Sequence, residues 1–296
     1  MQLRVRLFGA VAVAALGSAS LLFAGAVASA YAASGPRPAP SVGQMLPAPL
    51  PPGAVTAPVV RGYSKIGSFN WSGYAQHDPG GTYKAIRDTW TVPTVNTKLA
   101  GNQYSSDWVG IGGLSDSTLV QAGTEADNIG GKAKYDAWTE ILPAAEVVIP
   151  GLTIKPGNKI MTTVEEITAG TWTMTVDDLT TGKSGGKTVT YSSSGASAEA
   201  VHERPCIADG CTSTADLATL SHTTNVRFDP GDFSTAAPGT LVWDPLLTPA
   251  TGATLDEIIM VNDSNTAHIA TPSKPDSDSD GFTVAYGSKA PPPPSS

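Results

Sequence analysis

The chain has 296 residues, of which 41% are hydrophobic and 15% charged, and its formal net charge is −8. Such an acidic chain is a poor partner for nucleic acid or for anionic membranes, and the composition argues against both. Low charge density with 31 glycines is instead typical of a β-rich domain.

The first 33 residues have the pattern of a secretory signal peptide. Arg4 and Arg6 precede an apolar run that ends in small residues near Ala28-Ser29-Ala30. A membrane anchor is the alternative interpretation of this stretch. No later stretch approaches the ~18 apolar residues of a membrane span. We therefore expect a secreted, extracellular protein without membrane attachment after signal cleavage, carrying a net charge of −10 once both arginines are removed.

Proline punctuates both ends of the remaining chain. Residues 34–62 are proline-rich without periodicity, which predicts an extended, unpacked pro-segment or spacer. Residues 288–296 form a second proline-rich tail. The folded domain is predicted to span residues 63–287, a length compatible with one all-β domain, and we expect a monomer.

The predicted domain consists of short runs rich in Thr, Val, Tyr and Trp, separated by Gly, Pro, Asp or Asn. The break at residues 178–182 is typical of a hairpin loop. No stretch keeps a helical apolar period for three turns. More than ten short strands without helices predict a β-sandwich or a barrel.

Alternation along the predicted strands places several polar side chains on shared faces, because every second side chain of a strand points the same way. Two carboxylates flank an indole on one face of a strand, which suits the floor of a binding groove better than a core. The three groups on shared faces are Asp136, Trp138 and Glu140; Glu199, Val201 and Glu203; and Leu119, Gln121, Gly123 and Glu125.

Common hydrolytic motifs are absent from the sequence. There is no Gly-x-Ser-x-Gly motif, and none of the four histidines lies in a nucleophile setting, which disfavours a catalytic triad. His202-Glu203 begins like a zinc motif, but Pro205 would break the required helix. We therefore expect no metal and no cofactor in the site.

Residues 276–281 read Asp-Ser-Asp-Ser-Asp-Gly, like the first half of a calcium loop. The glutamate expected at the twelfth position is replaced by Gly287, so the pattern predicts a polar hairpin turn. Cys206 and Cys211 are the only cysteines. In a secreted chain, such a close pair predicts a disulfide that pins one turn.

Six motifs in a fixed order resemble the glutamic peptidases, the eqolisins. They are Asn70-Trp71-Ser72-Gly73, Thr89-Trp90-Thr91-Val92-Pro93, Trp108-Val109-Gly110-Ile111-Gly112-Gly113, Leu119-Val120-Gln121-Ala122-Gly123, Tyr135-Asp136-Ala137-Trp138-Thr139-Glu140 and Ala198-Glu199-Ala200-Val201-His202-Glu203. The resemblance weakens after about Phe233. It implies a two-sheet antiparallel β-sandwich, a lectin- or glucanase-like jelly roll, whose concave cleft binds protein or peptide substrates.

The resemblance also assigns roles to particular residues. Gln121 and Glu203 match the catalytic dyad of the family. Substrate-binding positions of the cleft match Trp71, Trp108, Asp136, Trp138 and Glu140. The family tends to have a disulfide loop after the catalytic glutamate, which fits Cys206 and Cys211. Fungal members carry an acidic residue where this chain has Gly112, so their pH optimum does not transfer.

The chemistry expected of this pair is peptide hydrolysis, for which Glu203 can activate water and Gln121 can stabilise the oxyanion. An amide does not titrate, so this donor works at acid pH. Two alternatives remain at this point. One is a non-catalytic carbohydrate- or peptide-binding sandwich. The other is a glycosidase that uses two of Glu203, Glu199, Glu140 and Asp136.

Overall fold

The computed structural model describes residue 43 and residues 45–50, 62–208 and 213–296. The predicted signal peptide and Cys211 lie outside these ranges, so signal cleavage and the disulfide stay predictions. The only helical stretch in the described ranges is a 3-10 turn at Thr214–Asp216, and none of these residues forms a helix able to cross a membrane.

Seventeen strands make up the described fold. In chain order they are β1 (Pro47–Ala48), β2 (Tyr63–Ser68), β3 (Trp71–His77), β4 (Ala85–Thr91), β5 (Ser106–Gly112), β6 (Leu119–Ile129), β7 (Lys132–Ile141), β8 (Val147–Val148), β9 (Lys159–Thr168), β10 (Thr171–Asp178), β11 (Lys183–Thr190), β12 (Ser197–Glu203), β13 (Val226–Ser234), β14 (Asp244–Pro245), β15 (Thr254–Val261), β16 (His268–Pro272) and β17 (Phe282–Tyr286). The all-β prediction is confirmed, as is the hairpin between β10 and β11.

The strands form two layers of one continuous sheet. The first, called layer A, has the order β1-β2-β15-β3-β12-β5-β6-β7-β8. The second, layer B, has the order β16-β17-β13-β4-β9-β10-β11, with β14 beside β13. The layers are joined where β15 pairs with β16, so they are not two separate sheets. All pairs are antiparallel except β2 with β15.

The main core fills the space between the layers. Val109, Val120 and Ala200 of layer A share one apolar cluster with Val164 and Met174 of layer B. A second cluster lies on the other face of layer A and contains three tryptophans. The central strands of layer A are consequently buried on both faces, which explains why β5 and β12 are buried at every position.

The proline-rich segment is packed where the structure describes it. β1 pairs with β2, matching Pro47 with Ser68, and both Met45 and Ala48 are buried. The expectation of an unpacked segment is therefore wrong for residues 45–48. Proline favours extended backbone, and an extended chain can add to a sheet edge that tolerates a missing N–H.

Several acids near the β6–β7 hairpin are buried. Burial raises the pKa of Asp127 to about 7. Burial, with the charge of Glu140 as the next cause, raises the pKa of Glu146 to about 9. Burial and the nearby charge of Glu146 also raise the pKa of Glu125 well above its usual value. The folded protein therefore binds protons more tightly here than the unfolded chain does.

We predict that stability falls as the pH rises. A group whose folded pKa is raised stabilises the fold below its unfolded pKa, near ~4, and loses that effect as the pH passes the folded pKa. Thermal unfolding between pH 4 and pH 9 should therefore show a decreasing Tm. Asp127→Asn should flatten the decrease up to about pH 7. The exposed Asp244→Asn should not, and a Tm that rises with pH would contradict the prediction.

Candidate active site

Four neighbouring strands of layer A place the predicted catalytic residues on one face. Glu199 of β12 lies opposite Gly110 of β5, which lies opposite Gln121 of β6, which lies opposite Glu140 of β7. Glu203 is four residues beyond Glu199 on the same strand and thus faces the same way. This is the face with the three tryptophans, and the face-sharing predicted from alternation matches the observed register.

The Gln121 side chain is fully buried and oriented by a carboxyl group. Its Nε2 donates a hydrogen bond to Oε2 of Glu140 at 2.8 Å. Its Oε1 has no hydrogen-bond partner among the described residues. The amide therefore keeps one N–H and its carbonyl oxygen for another molecule.

The residue opposite Gln121 has to be small. A Cβ on Gly110 would lie 3.1 Å from the Gln121 Cβ and 2.9 Å from the Trp108 ring. Gly110 therefore leaves room for the amide between two strands. Sequence reasoning included this glycine in a motif but gave it no role, because close packing between strands is invisible in one sequence.

The carboxyl group of Glu203 is fully buried and held by three N–H donors. Trp108 Nε1 donates to Oε2 at 3.0 Å, and Asn70 Nδ2 donates to Oε1 at 3.0 Å. The backbone N–H of Gly43 donates to Oε1 at 3.2 Å. Burial outweighs these donors and raises the pKa of Glu203 well above its usual value, and the Glu140 charge raises it further.

An ion pair, for instance with Arg204, is a structural alternative to a catalytic role for Glu203. In the structure Arg204 instead pairs with Asp263 and donates from Nε to the Phe69 carbonyl at 2.7 Å. Among the described residues, the donors to Glu203 are neutral groups, and none of the ion pairs found there involves this carboxyl group.

Three tryptophans surround the carboxyl group. The Trp71 and Trp108 rings meet edge to face with centroids 4.9 Å apart. Trp138 donates from Nε1 to Ser106 Oγ at 3.0 Å. All three side chains are fully buried, so they form the apolar wall of the site in this form of the chain.

Asp136 stands apart from this group although it lies on the same strand face. Its Oδ2 pairs with Lys134 Nζ at 2.7 Å, and a quarter of its side chain is exposed. The structure thus brings Gln121, Glu140, Glu203 and the tryptophans together, and leaves Asp136 at the margin.

The N-terminal segment lies directly over Glu203. Besides the Gly43 N–H, the Gly43 carbonyl accepts from Trp71 Nε1 at 3.0 Å. Met45 N donates to Gly113 O at 3.1 Å, and Met45 packs in the tryptophan cluster. Leu46 N donates to Asn70 Oδ1 at 2.7 Å. Residue 43 and residues 45–48 thus satisfy polar groups of the site and cover it, a role that the proline-rich sequence did not reveal.

The glycine that departs from the fungal motif has a structural reason. Gly112 has a φ of +94°, and a Cβ there would lie 2.3 Å from the Thr118 carbonyl oxygen. An aspartate at this position would need a different backbone conformation. With Gly112 here, the chain lacks the acidic side chain that fungal members carry at the same motif position.

Comparisons with known proteins identify the family of the chain. The profile of the Peptidase A4 family matches residues 69–285. Aspergillopepsin-2 of Aspergillus niger is 31% identical over 147 residues, or 43% of this chain and 50% of that protein. The match therefore spans about half the length of this curated relative.

Solved structures share the fold. Scytalido-glutamic peptidase, crystallised with a transition state analog inhibitor, superposes with a TM-score of 0.58 at 21% identity, over 73% of this chain and 98% of that one. Aspergilloglutamic peptidase from Aspergillus niger superposes with a TM-score of 0.50 at 24% identity, over 62% and 99%. With the family profile covering most of the described domain, the chain belongs to the Peptidase A4 family, the glutamic peptidases or eqolisins.

Proposed function

We propose that this chain is a secreted endopeptidase that hydrolyses peptide bonds at acid pH through Gln121 and Glu203. One observation carries the proposal: Glu203 is aimed onto the same sheet face as Gln121 and is bound there by neutral N–H donors. A carboxyl group held in this way remains available as a base once it ionises. Family membership supports the reaction class, and the pattern of residues 1–33 supports secretion.

In the proposed mechanism, ionised Glu203 takes a proton from a water molecule. The resulting hydroxide attacks the carbonyl carbon of the scissile peptide bond and forms a tetrahedral oxyanion. The C–N bond then breaks as Glu203 returns the proton to the leaving amine. The proton taken from water is thus transferred to the leaving amine, and Glu203 is again ionised at the end of the reaction. The mechanism uses no metal and no covalent intermediate with the enzyme.

Gln121 has the donors for the oxyanion. One N–H binds Glu140, and the other is free to donate to the developing negative charge. Glu140 fixes which way the amide points, so we assign it a positioning role. Because an amide does not titrate, the donor persists at pH values where a histidine would be charged.

We predict that Glu203→Gln lowers peptide hydrolysis by about 10²- to 10⁴-fold, because the base is lost. Gln121→Ala should lower it by about 10²- to 10³-fold through loss of one oxyanion donor. Hydrolysis of an unfolded protein, followed by mass spectrometry between pH 2 and pH 8, measures both effects. Circular dichroism checks that the variants remain folded.

Glu199→Gln is the matched control, since Glu199 is a buried acid on the same strand and face. It should retain peptide hydrolysis. Near-parental activity of Glu203→Gln would refute the dyad. Oligosaccharide cleavage that requires both Glu199 and Glu203 would favour the glycosidase alternative, and carbohydrate binding without hydrolysis would favour the lectin-like one.

We further propose that residues 34–62 are a pro-segment that blocks the site. Gly43 occupies a hydrogen-bonding position on Glu203, and Met45 fills the tryptophan cluster, so substrate and segment compete for the same surface. Burial is the largest cause of the raised pKa of Glu203, and the Gly43 N–H of the segment opposes it. Removal of the segment would free the surface for substrate.

Met45→Asp in the full secreted chain should raise peptidase activity before any processing, because a charged side chain is costly to bury in the cluster. Pro49→Asp, in the same segment but exposed, should leave activity unchanged. Activity is assayed alongside N-terminal mass analysis, which reports whether the segment is intact. If the intact parent chain is as active as its processed form, the segment does not block the site.

A further inference from the structure

A group of aspartates lies outside the proposed catalytic site, where the β16–β17 loop meets β13. Asp276 and Asp280 come from the loop, and Asp229 comes from β13. One carboxylate oxygen of each lies within 4.8 Å of the others. Calcium binds oxygen at ~2.3–2.6 Å, so oxygens on opposite sides of one ion lie ~4.6–5.2 Å apart. Each pair of these oxygens therefore lies within the span of one calcium coordination sphere.

Asp276 has an unused oxygen that points into this group. The residue is more than nine-tenths buried, with a relative exposure of 8%. Oδ1 accepts from the backbone N–H groups of Asp280 and Gly281, whereas Oδ2 has no partner in the described part of the chain. A Cβ on Gly281 would lie 2.2 Å from this Oδ2 and 2.9 Å from Asp229 Cγ. The unpartnered oxygen thus faces the Asp229 carboxylate.

A fourth acid borders the same space from β4. Asp88 is fully buried, and its Oδ1 accepts from Thr89 N at 2.6 Å. Its Oδ2 is unpartnered among the described residues. A Cβ on Gly231 would lie 2.3 Å from that Oδ2 and 3.3 Å from the Asp280 carbonyl oxygen. Glycine at residues 231 and 281 leaves room for carboxylate and carbonyl oxygens.

The side chains around the group balance only part of its charge. Arg227 pairs with Asp229, and Arg87 pairs with Asp232 at 2.8 Å. Within the described ranges, no lysine, arginine or histidine forms an ion pair with Asp88, Asp276 or Asp280. Buried carboxylates close together repel one another unless a cation or proton joins them.

We propose that Asp229, Asp276 and Asp280 bind one calcium ion, which fastens the β16–β17 loop to β13. The all-oxygen, carboxylate-rich set suits calcium better than zinc, which takes nitrogen and sulfur ligands. The spacing of residues 276–281 resembles the first half of a calcium loop. Asp276 and Asp280 of this stretch belong to the group, Asp278 does not, and Asp229 adds an acid from β13. An adjoining cavity of about 380 Å³ gives the ion access; its charged lining residues are Asp229, Asp278, Asp280, Lys159 and Arg227.

The test uses the full secreted chain, freed of metal and held at pH 7, where carboxylates ionise. Direct binding by calorimetry should give one calcium per chain. Saturating calcium should raise the Tm by roughly 5–10 °C, and equal magnesium should raise it less. Absence of stoichiometric binding, with an unchanged Tm, would overturn the proposal.

Two variants distinguish calcium binding by the aspartates from a requirement for these side chains in folding. Asp280→Asn, at a partly exposed position, and Asp276→Asn should each lose the calcium-induced rise in Tm. Asp280→Asn should also melt higher than the parent without calcium, because one repulsive charge is removed. The exposed Asp244→Asn should keep the full calcium response. If Asp276→Asn does not fold, Asp280→Asn alone provides the test. A calcium-induced rise in Tm as large as that of the parent would then contradict the proposed calcium site.

Discussion

The register of β12, β5, β6 and β7 is the constraint on which core and proposed site both depend. Because side chains alternate, the same four strands send Val109, Val120 and Ala200 into the core and Gln121 and Glu203 to the opposite face. A slip of one residue in any of these strands would exchange the two sets. The core between the layers therefore fixes the position of the proposed dyad without contacting the groups that would react.

Burial on both faces of layer A also sets the electrostatics. Carboxyl groups on the second face lie among tryptophans and N–H donors, away from bulk water, and their neutral form is favoured. The same preference holds for Glu125 and Asp127 at the far end of β6. These raised pKa values predict greatest stability at low pH, the range in which the proposed Gln and Glu pair would act.

Most of the fold and much of the site could be predicted from sequence, because both rest on local patterns. Runs rich in Thr, Val, Tyr and Trp between turn residues predicted the strands. Period-two alternation then predicted, within each strand, which residues share a face with Gln121, Trp138 or Glu203. The six motifs then supplied their order. The continuous pairing of the two layers through β15 and β16 is a long-range property and left no local pattern.

The parts that sequence missed depend on residues far apart in the chain. Gly43 meets Glu203 across 160 positions, and the proline content of its segment suggested only an extended chain. Asp229 joins the aspartate group from another strand. The loop pattern in the sequence considers only position 287 and therefore does not include Asp229. Gly110 matters only because Gln121 stands opposite it.

The most direct measurement of the central claim compares the pH profile of Gln121→Glu with that of the parent, both with the N-terminal segment removed. If Gln121 acts as an uncharged donor, a carboxyl group can replace it only while protonated. The account predicts that the activity ratio of variant to parent falls steadily as the pH rises from 2 to 7. A ratio that stays constant or increases over this range would contradict the role of Gln121 and, with it, the proposed dyad.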